Sequence, residues 1–353
     1  MATPDRVLGW DVLRGLCALA VATYHLLVWQ DVAALHTFGS YGVYLFFVLS
    51  GASLAYTYAD RIGQGSFSLR RFLWVRYLRL APLYLLLMLV VLPWKLLKEG
   101  PGAALLEKIA LNATFLFGFF DPAVQAMLVG GWSLGIEAIF YLLFPVMVLA
   151  GLRGAMGLVL LALLLVLQVS WVHWTAGGAA GYAANAVLYH QAPAFAAYFM
   201  GGCLLGLAQR RGRVAALSSA ACATLVVAGF GLMLLLNPAQ QGQELLGWRG
   251  LLLCGMCFLM VWLAGGVHLQ DRAARFAASL GDATYGVYLI HPVVFFGLVF
   301  VVLPALGMPG PARWPLALRL LLALAVLASV FVLALLSERN FERPLRQWSK
   351  SGR

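Results

Sequence analysis

Arg14 and His25 lie inside the first apolar segment of the chain, residues 8–29. A run of about 20 apolar residues is long enough to cross a bilayer as a helix. Ionisable groups are costly at that depth and usually mark a function. Their spacing corresponds to about three helical turns, so both side chains share one helix face, about 16 Å apart along the axis. The alternative is structural: an arginine that extends to the lipid head groups and a histidine bonded to a neighbouring helix.

Apolar segments recur along the whole chain. Hydrophobic residues make up 63% of the sequence and charged residues only 10%, against about 25% charged residues in soluble domains. The net charge of +11 does not indicate nucleic acid, because the basic residues fall in short loops between apolar segments. The composition predicts an all-α integral membrane protein with one polytopic domain over residues 1–353 and a short basic cytoplasmic tail at 338–353.

We predict ten transmembrane helices, at residues 8–29, 41–59, 80–97, 132–150, 154–173, 192–208, 214–236, 248–267, 283–304 and 316–337. A further apolar segment, 103–120, is ambiguous. If it does not cross and the N-terminus is cytoplasmic, most of the 24 lysines and arginines lie on the cytoplasmic side, as the positive-inside rule requires. We therefore predict that both termini are cytoplasmic. Residues 103–120 then form an outer segment, either re-entrant beside a cavity or amphipathic at the interface.

Two further ionisable residues lie inside predicted spans. Under this topology Glu137 falls in the same outer layer as His25, and a carboxylate paired with a histidine holds one tautomer and raises its basicity. A charge-neutralising pair without catalysis is the alternative. His291 lies near mid-membrane, three residues after Tyr288 and directly before Pro292, which predicts a kinked helix that lines a cavity. A structural His291 bonded to a carbonyl freed by the proline is the alternative.

A cluster of arginines follows the second predicted span. Arg76 and Arg79 lie three residues apart, so they neighbour each other on a helix surface. On the cytoplasmic side such a cluster binds anionic lipid head groups, or it holds a polyphosphate ligand through bidentate guanidinium contacts. The residues alone favour the lipid. The cluster consists of Arg61, Arg70, Arg71, Arg76 and Arg79.

Short motifs occur in order along nearly the whole chain. They are Leu13-Arg14-Gly15 with Tyr24-His25, the stretch 42–51, Arg71-Phe72 with Arg76, Arg79, Pro82 and Tyr84, Trp132-Ser133-Leu134 with Glu137, Phe140-Tyr141 and Pro145, Tyr285 with the stretch 288–292, and the stretch 341–344. Together they resemble the acyltransferase-3 family of bacterial membrane acyltransferases, which O-acylate sugars and other acceptors. Two positions depart from the family pattern. Tyr44 stands where an acidic residue is common, and Ala138 follows Glu137 where many members have a second glutamate.

The resemblance implies a cytoplasmic acyl-CoA donor, most often acetyl-CoA, used as a co-substrate without a metal. It implies an acceptor hydroxyl on a carbohydrate or lipid-linked sugar at the outer face of the bacterial cytoplasmic (inner) membrane. Arg14 and His25 are then essential, and Arg14, Arg71, Arg76 and Arg79 bind the CoA phosphates. Because the sequence ends shortly after its last span, we expect a stand-alone form similar to exopolysaccharide and O-antigen O-acetyltransferases. Its other partners are membrane lipids, and no nucleic acid is expected.

From these residues we expect direct acyl transfer, with His25 as general base, Glu137 orienting it and Arg14 at the donor. The further candidate site residues are His291, Ser133, Tyr141 and Tyr288. A covalent relay through an acyl-histidine or through Ser133 is the variant mechanism. A proton-coupled secondary transporter or flippase is the competing class, because intramembrane His, Glu and Arg also serve proton relays.

Overall fold

The computed structural model describes residues 6–178 and 181–351, and every regular element in these ranges is helical. The helices are α1 (Leu8–Trp29), α2 (His36–Gly63), α3 (Leu69–Glu99), α4 (Ala103–Thr114), α5 (Pro122–Gln125), α6 (Trp132–Leu152), α7 (Ala155–Ala176), α8 (Gly181–Tyr189), α9 (Ala196–Arg210), α10 (Ser219–Leu235), α11 (Gly247–Gly265), α12 (Asp271–Gly297), α13 (Leu303–Ala305), α14 (Leu316–Ser337) and α15 (Arg343–Ser351). π-Helical turns at Leu298–Val302 and Glu338–Glu342 make α12 continuous with α13 and α14 continuous with α15.

Within the described ranges, eight helical segments are long and apolar enough to cross a membrane. They are α1, α2, α3, α6, α7, α11, the continuous helix Asp271–Ala305 and the continuous helix Leu316–Gln347. The chain is therefore an all-helical, multi-pass membrane protein. The two other predicted spans, 192–208 and 214–236, correspond to shorter helices, α9 of 15 residues and α10 of 17 residues. Both are shorter than the about 20 residues that are typical of a single crossing, and α10 is at the lower end of the usual range of about 17 to 25 residues.

Helix α9 packs against α2 so closely that only glycine fits at the contact. A Cβ atom added to Gly202 would lie 2.1 Å from the carbonyl oxygen of Val48, and one added to Gly206 would lie 2.1 Å from that of Ala52. In the reverse direction, a Cβ on Gly51 would lie 2.2 Å from the Phe199 oxygen. Small residues permit such close backbone approach in membrane helices. This contact fixes α2, which carries one wall of each cavity described below.

Residues 103–120 do not form a membrane-crossing helix. The segment consists of α4, which has 12 residues, and a 3₁₀ turn at Leu116–Phe119, separated by Phe115 in the left-handed conformation with φ 58°. A 12-residue helix is only about 18 Å long. Asn112 is fully buried, and its amide nitrogen donates to the Gln125 carbonyl at 2.7 Å. The segment is thus folded onto the helices beside it, as expected for a piece that does not span.

The predicted tail, residues 338–353, is helical as far as Ser351, and residues 352–353 lie outside the described residues. Glu342 is 3% exposed and accepts a hydrogen bond from Ser337 Oγ at 2.8 Å. Arg346 forms an ion pair with Glu338 and lies 3.8 Å from Glu342. This part of the chain therefore continues α14 and packs against the bundle, where it contributes charged groups to the first cavity.

Candidate active site

A cavity of about 560 Å³ enters the bundle at the end where α1 begins and α14 ends. Its wall is built by α1 with the residues just before it, by α2, α3, α6 and α12, and by the π-helical turn and α15 that follow α14. The charged side chains on this wall are Arg6, Arg14, Arg76, Arg79, Arg346, Asp11, Glu137, Asp282, Glu338 and Glu342. A cavity of this size is within the usual range for small-molecule sites.

Arg14 is held in place by α1 and α2. Its Nη1 donates to Asp11 Oδ1 at 3.0 Å, one helical turn earlier, and its Nη2 donates to the Leu49 carbonyl at 3.2 Å and to Ser53 Oγ. Arg6 pairs with the same Asp11 and with Asp282. Burial lowers the pKa of Arg6, but its hydrogen bonds to these two carboxylates and their charges outweigh burial, so its pKa is raised. The charged groups on the part of the wall formed by α1 are therefore paired with one another and held in a fixed geometry.

Arg76 and Arg79 differ from the other cations on this wall. Neither forms an ion pair or a hydrogen bond with any residue in the described ranges, and Arg76 Nε is buried without a partner. The Arg76 guanidinium lies 5.9 Å from the centre of the Phe72 ring. Buried polar groups normally have partners, so an orphaned guanidinium nitrogen beside a cavity indicates a ligand with acceptor oxygens. These two arginines suit a phosphate group.

Arg71 does not join them. It is exposed and is not part of the cavity wall. Because Arg71 precedes Arg76 by five positions, its side chain is rotated by about 140° around α3. Of the four arginines expected to bind the donor, the structure thus brings together Arg14, Arg76 and Arg79, and it places Arg71 on a different face.

Glu137 does not contact His25, so the predicted direct pair between them is wrong. Glu137 Oε1 accepts hydrogen bonds from Ser50 Oγ and from Tyr141 Oη, the latter at 2.7 Å. Both Glu137 and Tyr141 line the cavity. The physical reason is rotation about the bundle axis: α6 presents Glu137 to α2 beside the cavity, whereas His25 faces α12. Glu137 therefore belongs to the cavity wall.

His25 is paired with His291, across α1 and α12. His25 Nδ1 lies 3.0 Å from His291 Nε2, and the two rings are nearly parallel, with their planes 17° apart. His291 is 1% exposed, and its Nδ1 lies 3.0 Å from the Val287 carbonyl oxygen. His25 is half-buried. Neither histidine is part of the cavity wall, which ends at Tyr288 on their side.

This chain of contacts determines where the protons lie on the neutral rings. A carbonyl oxygen only accepts, so His291 Nδ1 carries the hydrogen that it donates to Val287. His291 Nε2 is then an acceptor, and His25 Nδ1 must donate to it. The lone pair of neutral His25 is therefore on Nε2, which has no hydrogen-bond partner among the described residues. A histidine held in one tautomer with a free ring nitrogen is suited to proton abstraction.

Trp29 covers one face of the His25 ring. The ring centres are 4.8 Å apart and the planes are within 9° of each other. Trp29 in turn packs against Phe296 and Phe295 of α12, with ring centres 4.5 Å and 5.3 Å away. This packing restricts rotation of the imidazole. An indole face also attracts a cation, so it favours the protonated form that His25 takes after accepting a proton.

Tyr288 connects the cavity to the histidine pair. Its hydroxyl donates to the Gly130 carbonyl at 2.9 Å and lies 3.1 Å from Ser133 Oγ. Ser133 Oγ also donates to Gly130, at 3.0 Å. The Tyr288 ring centre is 6.4 Å from that of His291. No histidine or carboxylate in the described ranges bonds to Ser133, so the serine lacks the base that a nucleophile needs.

Several residues of the site were not expected from the sequence. They are Asp11, Trp29, Ser50, Ser53, Asp282, Glu338, Glu342 and Arg346. Asp11 could have been found, because it precedes Arg14 by three residues and so faces it on the helix. Trp29 follows His25 by four residues and satisfies the same rule. Asp282, Glu338 and Arg346 carry no local signal, and Glu342 lies in the motif 341–344, which by itself assigns it no role. Within the described ranges, no group of three or more His, Cys, Asp or Glu side chains is placed to hold a metal ion.

The sequence that builds this arginine-lined cavity and histidine pair is similar to known proteins. A family model described as an acyltransferase domain matches residues 7–338. The chain belongs to the acyltransferase-3 family. The match includes the histidine pair of this acyltransferase and most of the cavity wall, but not Arg6, Glu342 and Arg346.

Two curated relatives are similar to this acyltransferase. The peptidoglycan O-acetyltransferase OatA of Listeria monocytogenes is 26% identical over 361 aligned residues, covering 96% of this chain and 55% of the relative. The acyltransferase MdmB of Streptomyces mycarofaciens is 32% identical over 168 residues, covering 40% of each chain. The chain thus spans only about half the length of these relatives. No solved structure matches it at a significant level.

Proposed function

We propose that this acyltransferase moves an acyl group, acetyl in the first instance, from cytoplasmic acyl-CoA to a hydroxyl of a sugar or polysaccharide precursor. The acceptor reaches the protein at the outer face of the bacterial inner membrane, with both termini of the chain in the cytoplasm. The observation that carries the proposal is the His25–His291 pair, with a free Nε2, beyond the inner end of a cavity that contains the unpaired Arg76 and Arg79. The similarity to a peptidoglycan O-acetyltransferase supports a carbohydrate acceptor.

The two ends of the cavity have different tasks. Arg76 and Arg79, with Arg14 beside them, hold the phosphate groups of the donor through charge-assisted hydrogen bonds. The orphaned Arg76 Nε fits this role, because it lacks an acceptor. The slender pantetheine arm then lies along the wall towards Tyr288, which places the thioester beside the histidine pair. Glu137, fixed by two hydroxyl donors, balances the charge of the nearby arginines.

In the transfer step His25 Nε2 takes the proton from the acceptor hydroxyl, and the acceptor oxygen attacks the thioester carbonyl carbon. The carbon–sulfur bond breaks, and protonated His25 returns its proton to the thiolate, giving an ester and free CoA. His291 keeps the His25 tautomer in place and takes the orienting role that we predicted for Glu137 from the sequence. Direct transfer is preferred over a serine relay, because no base among the described residues forms a hydrogen bond with Ser133.

The test is acyl transfer from labelled acetyl-CoA by the full chain in permeabilised membrane vesicles, in which both membrane faces are accessible, with a cell-envelope extract as acceptor. We expect label in the acceptor fraction with the wild type and with His36→Ala, a control at another buried histidine. We expect none with His25→Ala or Arg14→Ala at equal expression. Label that persists with His25→Ala would refute the general-base role. Absence of any CoA-dependent transfer by folded wild type would refute the proposed donor and favour a transporter.

A further inference from the structure

A second cavity, of about 390 Å³, lies between α7 and α11. Tyr41 and Tyr44 of α2 line it, whereas Val43 and Phe47 of the same helix line the candidate active site. The two cavities are thus on opposite faces of α2. Nothing in the proposed reaction uses the second one.

This cavity opens sideways, where the protein surface is apolar. Val169 of α7 and Leu251 of α11 are 45% and 59% exposed, and both line the opening together with the exposed Gly255. A Cβ atom added to Gly255 would have no atom within 4 Å. Because α7 and α11 are both able to span the membrane, the opening faces lipid hydrocarbon. A molecule that enters here comes from the bilayer.

Among the described residues that line this cavity, one buried side-chain polar atom lacks a hydrogen-bond partner. Gln168 lines the cavity and is only 5% exposed. Its amide nitrogen donates weakly to Cys254 Sγ at 3.8 Å, while its Oε1 is buried without a hydrogen-bond partner. A buried acceptor without a donor is costly. Gln168 precedes Ala176, the last residue of α7, by eight positions, about 12 Å along the helix. A ligand that donates a hydrogen bond to Gln168 Oε1 must therefore reach about 12 Å into the protein from the end of α7.

The lining around Gln168 suits a chain with one polar group. Leu165, Val172 and Phe258 supply apolar surface. The Tyr198 side chain also lines the cavity and hydrogen-bonds to Cys254. Pockets with mostly apolar walls and a single placed polar group orient a ligand through that group. We propose that this cavity binds a membrane amphiphile with one long alkyl or isoprenyl chain, whose O–H or N–H group donates to Gln168 Oε1. The chain extends outward between α7 and α11. This site is independent of the proposed acyl transfer.

The test uses two photoreactive probes that differ only in the donor: a C16 fatty alcohol with a diazirine in its chain, and the methyl ether of that alcohol. The full-length protein in nanodiscs is irradiated with each probe, and labelled peptides are mapped by mass spectrometry. We expect the alcohol to label α7 and α11 with about tenfold higher apparent affinity than the ether, the effect of one hydrogen bond. In Gln168→Leu the two probes should label equally. Equal labelling in the wild type would overturn the role of Gln168.

A second pair of variants tests the cavity itself. Gly255→Leu places a larger side chain in the opening, at a position where an added Cβ meets no atom within 4 Å, and Gly231→Leu on α10 is its matched control because an added Cβ meets no atom there either. We expect labelling of α7 and α11 to be lost in Gly255→Leu and unchanged in Gly231→Leu. Unchanged labelling in Gly255→Leu would overturn the site. Since the assay measures no acyl transfer, its result is separate from the fate of the proposed function.

Discussion

Replacing His291 with phenylalanine removes the acceptor that holds the His25 ring but keeps a ring of similar size in α12. In the wild type His25 Nδ1 donates to His291 Nε2 at 3.0 Å. In the variant this N–H is left without an acceptor in a half-buried place, at a cost of about 1–3 kcal/mol. If the cost falls on the transition state, kcat drops by about 5- to 150-fold. His291→Gln retains a carbonyl acceptor, so its kcat should lie between those of His291→Phe and the wild type.

The assay is the initial rate of acyl transfer in vesicles as a function of acetyl-CoA concentration. Because His291 is not on the cavity wall, the KM for acetyl-CoA should not change, and the loss should be in kcat alone. His36→Phe is the matched control, since His36 is also buried but is not part of the pair. It should have wild-type kinetics.

Two results would refute this reasoning. A kcat for His291→Phe within twofold of the wild type would show that the hydrogen bond between the histidines does not set the reactivity of His25. A raised KM with unchanged kcat would show that His291 acts on donor binding. That would contradict its position outside the cavity wall, which ends at Tyr288.

Three further variants test other parts of the structure. Arg79→Gln should raise the KM for acetyl-CoA about tenfold or more, because a charge-assisted phosphate contact is lost, while Arg71→Gln should leave it unchanged. Trp29→Leu removes the ring face stacked on the general base and should lower kcat about 2- to 30-fold at constant KM, as expected for about 0.5–2 kcal/mol of cation–π attraction. Gly202→Val should lower the free energy of unfolding by about 1–3 kcal/mol through overpacking, whereas Gly231→Val, at a position where an added Cβ meets no atom within 4 Å, should change it by less than about 0.5 kcal/mol; both are measured by denaturation of the detergent-solubilised protein.

The candidate site was only partly predictable. Arg14, His25 and His291 stood out because ionisable residues are rare inside apolar segments, and all three take part in the arrangement described here. The partner of His25 was not predictable, because the histidines are 266 positions apart in the sequence. Estimated depth placed Glu137 level with His25, but depth does not give rotation about the bundle axis. Rotation directs Glu137 to Ser50 instead.

The sequence by itself determined the class of the molecule. Apolar runs of membrane length must become helices, since a helix satisfies its backbone hydrogen bonds within the segment, and this local requirement predicts most of α1 to α14. The motifs around Arg14 and His25 indicated the family, which the comparison then confirmed. Only the tertiary structure decided which groups meet. The pairing of His25 with His291 and the unpaired state of Arg76 and Arg79 depend on how separate helices pack, and that is set by contacts such as Gly202 against α2, between residues far apart in the chain.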